Sequence, residues 1–223
     1  MNAKREPEDR SQASWQGFLG DLSQLAGRLG ESGEESLPER SGGILFDGEE
    51  IVDSVSLVRF LEDYRVRFII PIELPTIIEA SRCVINGEFR ELMALDHELS
   101  KDSTLKGFSE ASRWVGQCHA RPMRGMRDHR VVWRYCDAIR LGAANGWHSV
   151  VYGVVLAAFS IPLRQGLVNY CERIVGGFVE SAATKLDIAG SDAIVLQERL
   201  MEQLVNDIDA SVGLDLSSQL RIS

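Results

Sequence analysis

The clearest pattern in this chain lies in its last third. Leu167, Cys171, Ile174, Phe178, Ala182 and Leu186 recur at steps of three or four, and Val168, Val175, Val179 and Ala183 widen the stripe. Arg164, Asn169, Glu172, Arg173, Glu180 and Lys185 fall largely on the other side. Such spacing predicts an amphipathic helix whose broad face packs against several neighbours. Pro162 suits the first turn of that helix. A final helix is expected from Ser191 or Asp192 to about Val212, with Ile194, Leu196, Leu200, Leu204 and Ile208 inward. The glycine pair Gly176–Gly177 interrupts good helix formers. It reads either as close helix packing or a kink, or as a flat spot for a partner's backbone.

The same period runs upstream. Trp15, Phe18, Leu19, Leu22, Leu25, Ala26 and Leu29 are helically spaced, and the Gly-, Ser- and Glu-rich stretch from Gly30 to Gly43 reads as a loop. Asp53 or Ser54 is placed to cap a helix carrying Val55, Val58, Leu61 and Tyr64. Pro71 and Pro75 predict a break near Ile70–Leu74. A helix with Ile77, Ile78, Ala80, Ser81 and Val84 follows, and Asn86–Gly87 turns the chain into a second one with Phe89, Leu92, Met93, Leu95, Asp96 and Leu99. Another helix is expected from about Thr104 to His119, a loop from Arg121 to Asp128 around Pro122 and Gly125, and a helix from Val131 to Leu141 ended by Gly142–Gly146. The apolar run Ser149–Leu163 reads as a buried core helix, being short of the roughly 20 residues a membrane span needs. No strand-type alternation and no internal repeat stands out. The expectation is an all-α single domain of about eight to ten helices over residues 15–212. A disordered tail (1–14) is expected before it and a short polar tail (213–223) after it.

Composition changes this picture little. Hydrophobic residues make up 44% of the 223 and charged residues 26%, an ordinary balance for a globular protein. The net charge of -9 argues against a nucleic-acid partner, which needs a basic surface. The start, Met1–Arg10, lacks the apolar stretch of a secretory signal. With no membrane segment, a cytoplasmic protein is expected. The four cysteines, Cys83, Cys118, Cys136 and Cys171, form no Cys-x-x-Cys pair and read as reduced core thiols.

Candidate chemistry is sparse. Cys118–His119 is the most suggestive pair, but a metal site needs further ligands, and no His-Glu-x-x-His or Cys/His cluster occurs. Asp96–His97–Glu98 cannot share one helical face, since neighbours diverge by about 100°. Ser112 and Ser181 have no Gly-x-Ser-x-Gly setting with His119 or His148 to make a nucleophile. Ser41–Gly42–Gly43 lacks the Lys-Ser/Thr ending of a phosphate loop. No catalytic residue, cofactor or metal ligand is assigned; a helical enzyme or metal-binding protein using Cys118 and His119 is the alternative.

Four segments resemble the urease accessory protein UreF family. Leu92-Met-Ala-Leu-Asp-His-Glu-Leu99 is similar to its Leu-x-x-Leu-Asp-x-Glu-Leu, and Glu110-Ala-Ser-Arg-Trp-Val-Gly116 to its Glu-Ala-Ser-Arg-x-x-Gly. His148–Gly153 with the following Ala-rich stretch to Ile161–Pro162 resembles its His- and Gly-containing helix, and Ser181-Ala-Ala-Thr-Lys-Leu186 its Ser-Ala-Ala-x-Arg-Leu. The order and separation also fit, from about residue 50 to residue 205. The family's opening Pro-x-Gly-x-Phe-x-His-Ser segment is missing, and Lys185 stands where the family has Arg. The resemblance implies an all-helical, cytoplasmic, non-enzymatic chaperone that forms homodimers. It implies binding to a UreD/UreH scaffold and recruitment of the GTPase UreG, so that nickel enters apo-urease. His148, Ser181 and Lys185 are the matched positions to which it assigns a packing or partner-interface role, and the Arg113 match a structural one.

Overall fold

The computed structural model describes residues 44–46, 49–106, 108–186 and 190–220. The expected helix at 15–29, the loop at 30–43 and the tail at 1–14 lie outside them. The fold is all-α, as the periodicity predicts, with one small addition. Strands β1 (Ile44–Phe46) and β2 (Glu49–Ile51) pair antiparallel, Ile44 opposite Ile51 and Phe46 opposite Glu49. Three-residue strands are too short for alternation to register in a sequence.

Helix α1 (Ser54–Tyr64) starts on a reciprocal cap. The Asp53 carboxylate accepts from the Ser56 N–H at 2.8 Å, and the Ser56 hydroxyl accepts from the Asp53 N–H at 3.0 Å. Leu57, Phe60, Leu61 and Tyr64 form its buried stripe, while Val55 is 67% exposed. The inward face is therefore offset from the one expected through Val55 and Val58, because the larger Leu57, Phe60 and Tyr64 claim the core.

The expected break at Ile70–Leu74 does not occur. Arg65–Glu73 forms a π-helical segment that carries Pro71 inside it and runs directly into α2 (Leu74–Ile85), with Leu74 N–H bonding the Ile69 carbonyl five residues back. The wider turn makes room for the proline ring, which would clash with the carbonyl four residues back in an α-helix. Asn86–Gly87 turns α2 into α3 (Phe89–Leu99). A single 3-10 turn (Ser103–Leu105), capped by Asp102, leads to α4 (Ser109–Met123). The last turn of α4 includes Arg121, Pro122 and Met123, which the sequence placed in a loop. Helices α5 (Arg130–Arg140), α6 (His148–Ala158), α7 (Leu163–Leu186) and α8 (Gly190–Leu220) complete the order. Helix α8 continues through Gly213, where a tail was expected.

Helix α6 is the axis of the fold. Ten of its eleven residues are buried, so it is enclosed on every side. It packs most extensively on α2 and next on α4. Gly153 permits the first contact: a Cβ there would lie 2.4 Å from the Ile77 carbonyl oxygen. Helix α7 buries Leu167, Cys171, Ile174, Val175, Phe178, Val179 and Ala182 as predicted, and α8 lies along it with Leu200, Leu204 and Ile208 inward and Ile194 exposed. At Gly176 a Cβ would come within 3.0 Å of the Gln197 side chain of α8, which favours the close-packing reading of the glycine pair. Phe60, Tyr64, Phe68, Phe108 and Phe178 pack together with ring centroids 5.0–6.0 Å apart, joining α1, the π-segment and α7. The four cysteines are free thiols, three of them buried. No helix among the described residues is long and apolar enough to cross a membrane.

Candidate functional site

Asp96 is fully buried, on α3, and its carboxylate gathers five donors from elements far away in sequence. Oδ1 accepts from the Tyr135 hydroxyl at 2.7 Å, from the Gly146 N–H at 2.9 Å and from the Trp147 N–H at 3.3 Å. Oδ2 accepts from the backbone N–H and the side-chain amide of Asn145. A buried carboxylate is costly unless its lone pairs are filled, and here hydroxyl and amide donors fill them. Asp96 thereby ties α3 and α5 to the turn that launches α6.

Helix α4 closes on the same turn. A Cβ on Gly116 would sit 2.1 Å from the Gly146 carbonyl oxygen and 2.8 Å from the His148 nitrogen, so only glycine lets the backbones meet. The Ser112 hydroxyl accepts from the His148 N–H at 3.3 Å, and Gln117 donates to the Asn145 carbonyl at 3.0 Å. The Arg113 guanidinium lies 5.7 Å from the centre of the Trp147 ring, whose N–H donates to Ser100. Asp96, Ser112, Arg113, Gly116 and His148 come from three separate stretches of sequence, and all converge on residues 145–148.

His148 begins a second, inward layer. Its ring is stacked on Tyr170 (centroids 5.1 Å, planes 29° apart) and meets His119 at 5.3 Å and Tyr152 at 5.9 Å edge-on. Nε2 is buried and has no hydrogen-bond partner among the described residues. Burial, with His119 second, holds its pKa well below the ordinary imidazole value, so the ring is neutral. Past Tyr170 lies Glu73, whose Oε1 accepts from the Tyr64 hydroxyl at 2.9 Å. Glu73 is partly exposed as a residue, but its Oε2 is sealed from solvent, and burial pushes its pKa up to about 7 against the bonds from Tyr64 and Tyr170.

The residues singled out from sequence thus separate. His148 is 1% exposed, and packing within this chain is what its side chain does. Ser181 and Lys185 lie on α7, but their side chains fall outside the described residues. Cys118 and His119 are half-buried on α4. Among the described residues no group of three or more His, Cys, Asp or Glu side chains is placed to hold a metal ion. Asp96 is buried while His97 and Glu98 are exposed, as the helical angle requires. Glu73 and Tyr170 went unread, although a carboxylate between Ile72 and Leu74 is a visible anomaly in an apolar stretch.

The segments that meet at this turn lie within the part of the chain that matches a known family. The family model of UreF matches residues 51–197, about two thirds of the chain. No curated relative matches significantly.

Proposed function

Since the chain belongs to the UreF family of urease accessory proteins, we propose that it works by docking, as an assembly factor in urease maturation. In this reading it forms a homodimer, binds a UreD/UreH-like scaffold, recruits a UreG-like GTPase, and so helps nickel pass as cargo into apo-urease in the cytoplasm. One observation carries the reading beyond the match itself. The matched segments from α3, α4 and α6 are spent on one rigid junction, Asp96 with Gly116 and the 145–148 turn, which fixes the helices whose outer faces would meet partners. Trp114 on α4, Trp133 on α5, Leu141 just after it and Ile85 at the end of α2 remain substantially exposed. A stable dimer would bury on the order of 1,000 Å² or more.

The test is co-purification of the full chain with a UreD-like protein and with a UreG-like GTPase from a urease-positive background, each partner shown to be folded. Retention of both supports the reading. Binding to neither overturns it. Substitution of Ser181 and Lys185 by Ala is expected to weaken partner retention with the helical signal intact, if they belong to an interface.

A further inference from the structure

The corner where α4 ends and α5 begins carries charge of the opposite sign to the rest of the molecule. Between Arg121 and Arg134 the chain places Arg121, Arg124, Arg127, Arg130 and Arg134 against a single acid, Asp128, a local balance of +4 in a chain whose total is -9. Arg121, Arg127, His129, Arg130 and Arg134 are exposed, and Trp133 stands among them at 38% exposure.

Elsewhere among the described residues five cations are held in ion pairs. Arg65 is bonded to Asp207 and Glu62, Arg82 to Glu79, Lys101 to Glu98, Arg140 to Asp137 and Arg164 to Asp209. At the corner only Arg134 has such a contact, over the Phe89 ring at 3.9 Å. The ion pairs of the described residues include none from Arg121, Arg124, Arg127 or Arg130, and the Nε of Arg124 is buried without an acceptor. The fold accounts for part of this. Arg121 and Arg124 sit at the C-terminal end of α4, where a cation is favoured by the helix dipole. Arg130 is the first residue of α5, where a cation is disfavoured, Arg127 lies in the turn just before it, and that helix has neither a side-chain cap nor an acid in its first turn. A local choice that works against the helix needs another reason.

We propose that this corner, with Arg121, Arg124, Arg127 and Arg130 beside Trp133, is a docking surface for a carboxylate-rich segment of a partner protein. Guanidinium forks match carboxylates in pairs, the uncapped α5 amides add donors, and an exposed Trp supplies the apolar anchor of a contact. The strongly negative remainder of the chain tolerates a short acidic segment confined to the corner and repels a long polyanion that runs beyond it. The proposal stands on this charge arrangement and does not depend on urease being the client.

The test uses the full chain and a short labelled peptide of alternating Glu and Asp, followed by fluorescence anisotropy. Saturable binding that falls with rising salt is expected. The double reversal Arg127→Glu/Arg130→Glu should weaken it about tenfold or more, because two attractive exposed pairs become repulsive. The same reversal places acids at a helix start, so its circular dichroism and thermal midpoint should be at least those of the parent; Arg127→Gln/Arg130→Gln serves as the milder variant. Lys106→Glu, exposed on the turn before α4, should leave binding nearly unchanged. Absence of binding, or binding indifferent to both double variants, overturns the proposal. So does tighter, equally reversal-sensitive binding of a single-stranded oligonucleotide of the same charge or of phosphatidylserine vesicles, which would assign the corner to a nucleic acid or a lipid surface.

Discussion

Replacing Asp96 by Asn tests whether one buried carboxylate holds the helix junction together. The change is nearly isosteric, so it leaves packing alone and alters only donors and acceptors. The carboxylate accepts three bonds at Oδ1 and two at Oδ2. Asparagine has one acceptor oxygen and one donor nitrogen. Its lower-cost orientation keeps the oxygen facing Tyr135, Gly146 and Trp147, which turns the NH2 toward the N–H groups of Asn145. The part-buried Asn145 N–H then lacks an acceptor, at about 1–3 kcal/mol, its side-chain amide keeps only the long bond to the Asp96 carbonyl at 3.4 Å, and the remaining bonds lose their charge assistance. The expected cost is about 2–4 kcal/mol, a large share of the roughly 5–15 kcal/mol typical of a folded domain. Urea denaturation followed by far-ultraviolet circular dichroism would show it as a lowered midpoint at unchanged slope. Tyr135→Phe, which removes one of the five donors, should cost less. If Asp96→Asn costs below about 1 kcal/mol, the carboxylate is not the clasp described, and water or neighbouring groups satisfy those donors instead.

Gly116→Ala gains about 1 kcal/mol in helix propensity but forces backbone 2.1 Å from the new Cβ to retreat, so a net loss of stability of about 1–3 kcal/mol is expected, read as a lower thermal midpoint. Ser160, which ends α6 at φ 53°, occupies the left-handed region without being glycine; Ser160→Gly should stabilise by about 1 kcal/mol and raise the midpoint by about 2–4 °C. Glu73 has a folded pKa near 7 against an ordinary 4.5, so the folded state binds the proton more tightly and stability falls as pH rises through that window. Glu73→Gln should therefore flatten the decline, and be the more stable form at pH above about 7 in chemical denaturation. His148 acts oppositely: its folded pKa is depressed, so its contribution is full above the ordinary 6.5 and is lost as pH falls below it, a loss that should shrink in His148→Phe.

What sequence could show here was set by distance along the chain. The stripe from Leu167 to Ala182 was legible because a straight helix maps spacing onto a face, and the buried α6 because its apolar residues are contiguous. Pro71 misled because the usual inference assumes α-geometry, whereas a π-turn accepts the ring. Pro122 misled for a lesser reason: it falls in the last turn, where few bonds remain to lose. Asp96 was visible in a helical pattern, in a polar triplet and in the family-like segment Leu92–Leu99, but none of these showed what it bonds. Its partners lie 39 to 51 residues away, on a helix and a turn that no periodicity connects to it. The basic corner was legible, with arginine at every third position from Arg121 to Arg130, but the total charge of -9 averaged it away.

The central placement of α6 bears on how the chain is made. A largely apolar helix buried on every side is a hazard while it waits for partners, since it presents sticky surface to other chains. Synthesis runs from the N-terminus, and α2 and α4, the two helices that enclose α6 most, both precede it. When residues 148–158 emerge, the two helices that enclose them most have already been made. A circular permutant that made α6 ahead of α2 and α4 would keep every native contact and yet expose this segment for the longest part of its synthesis, and aggregation during expression is the expected price.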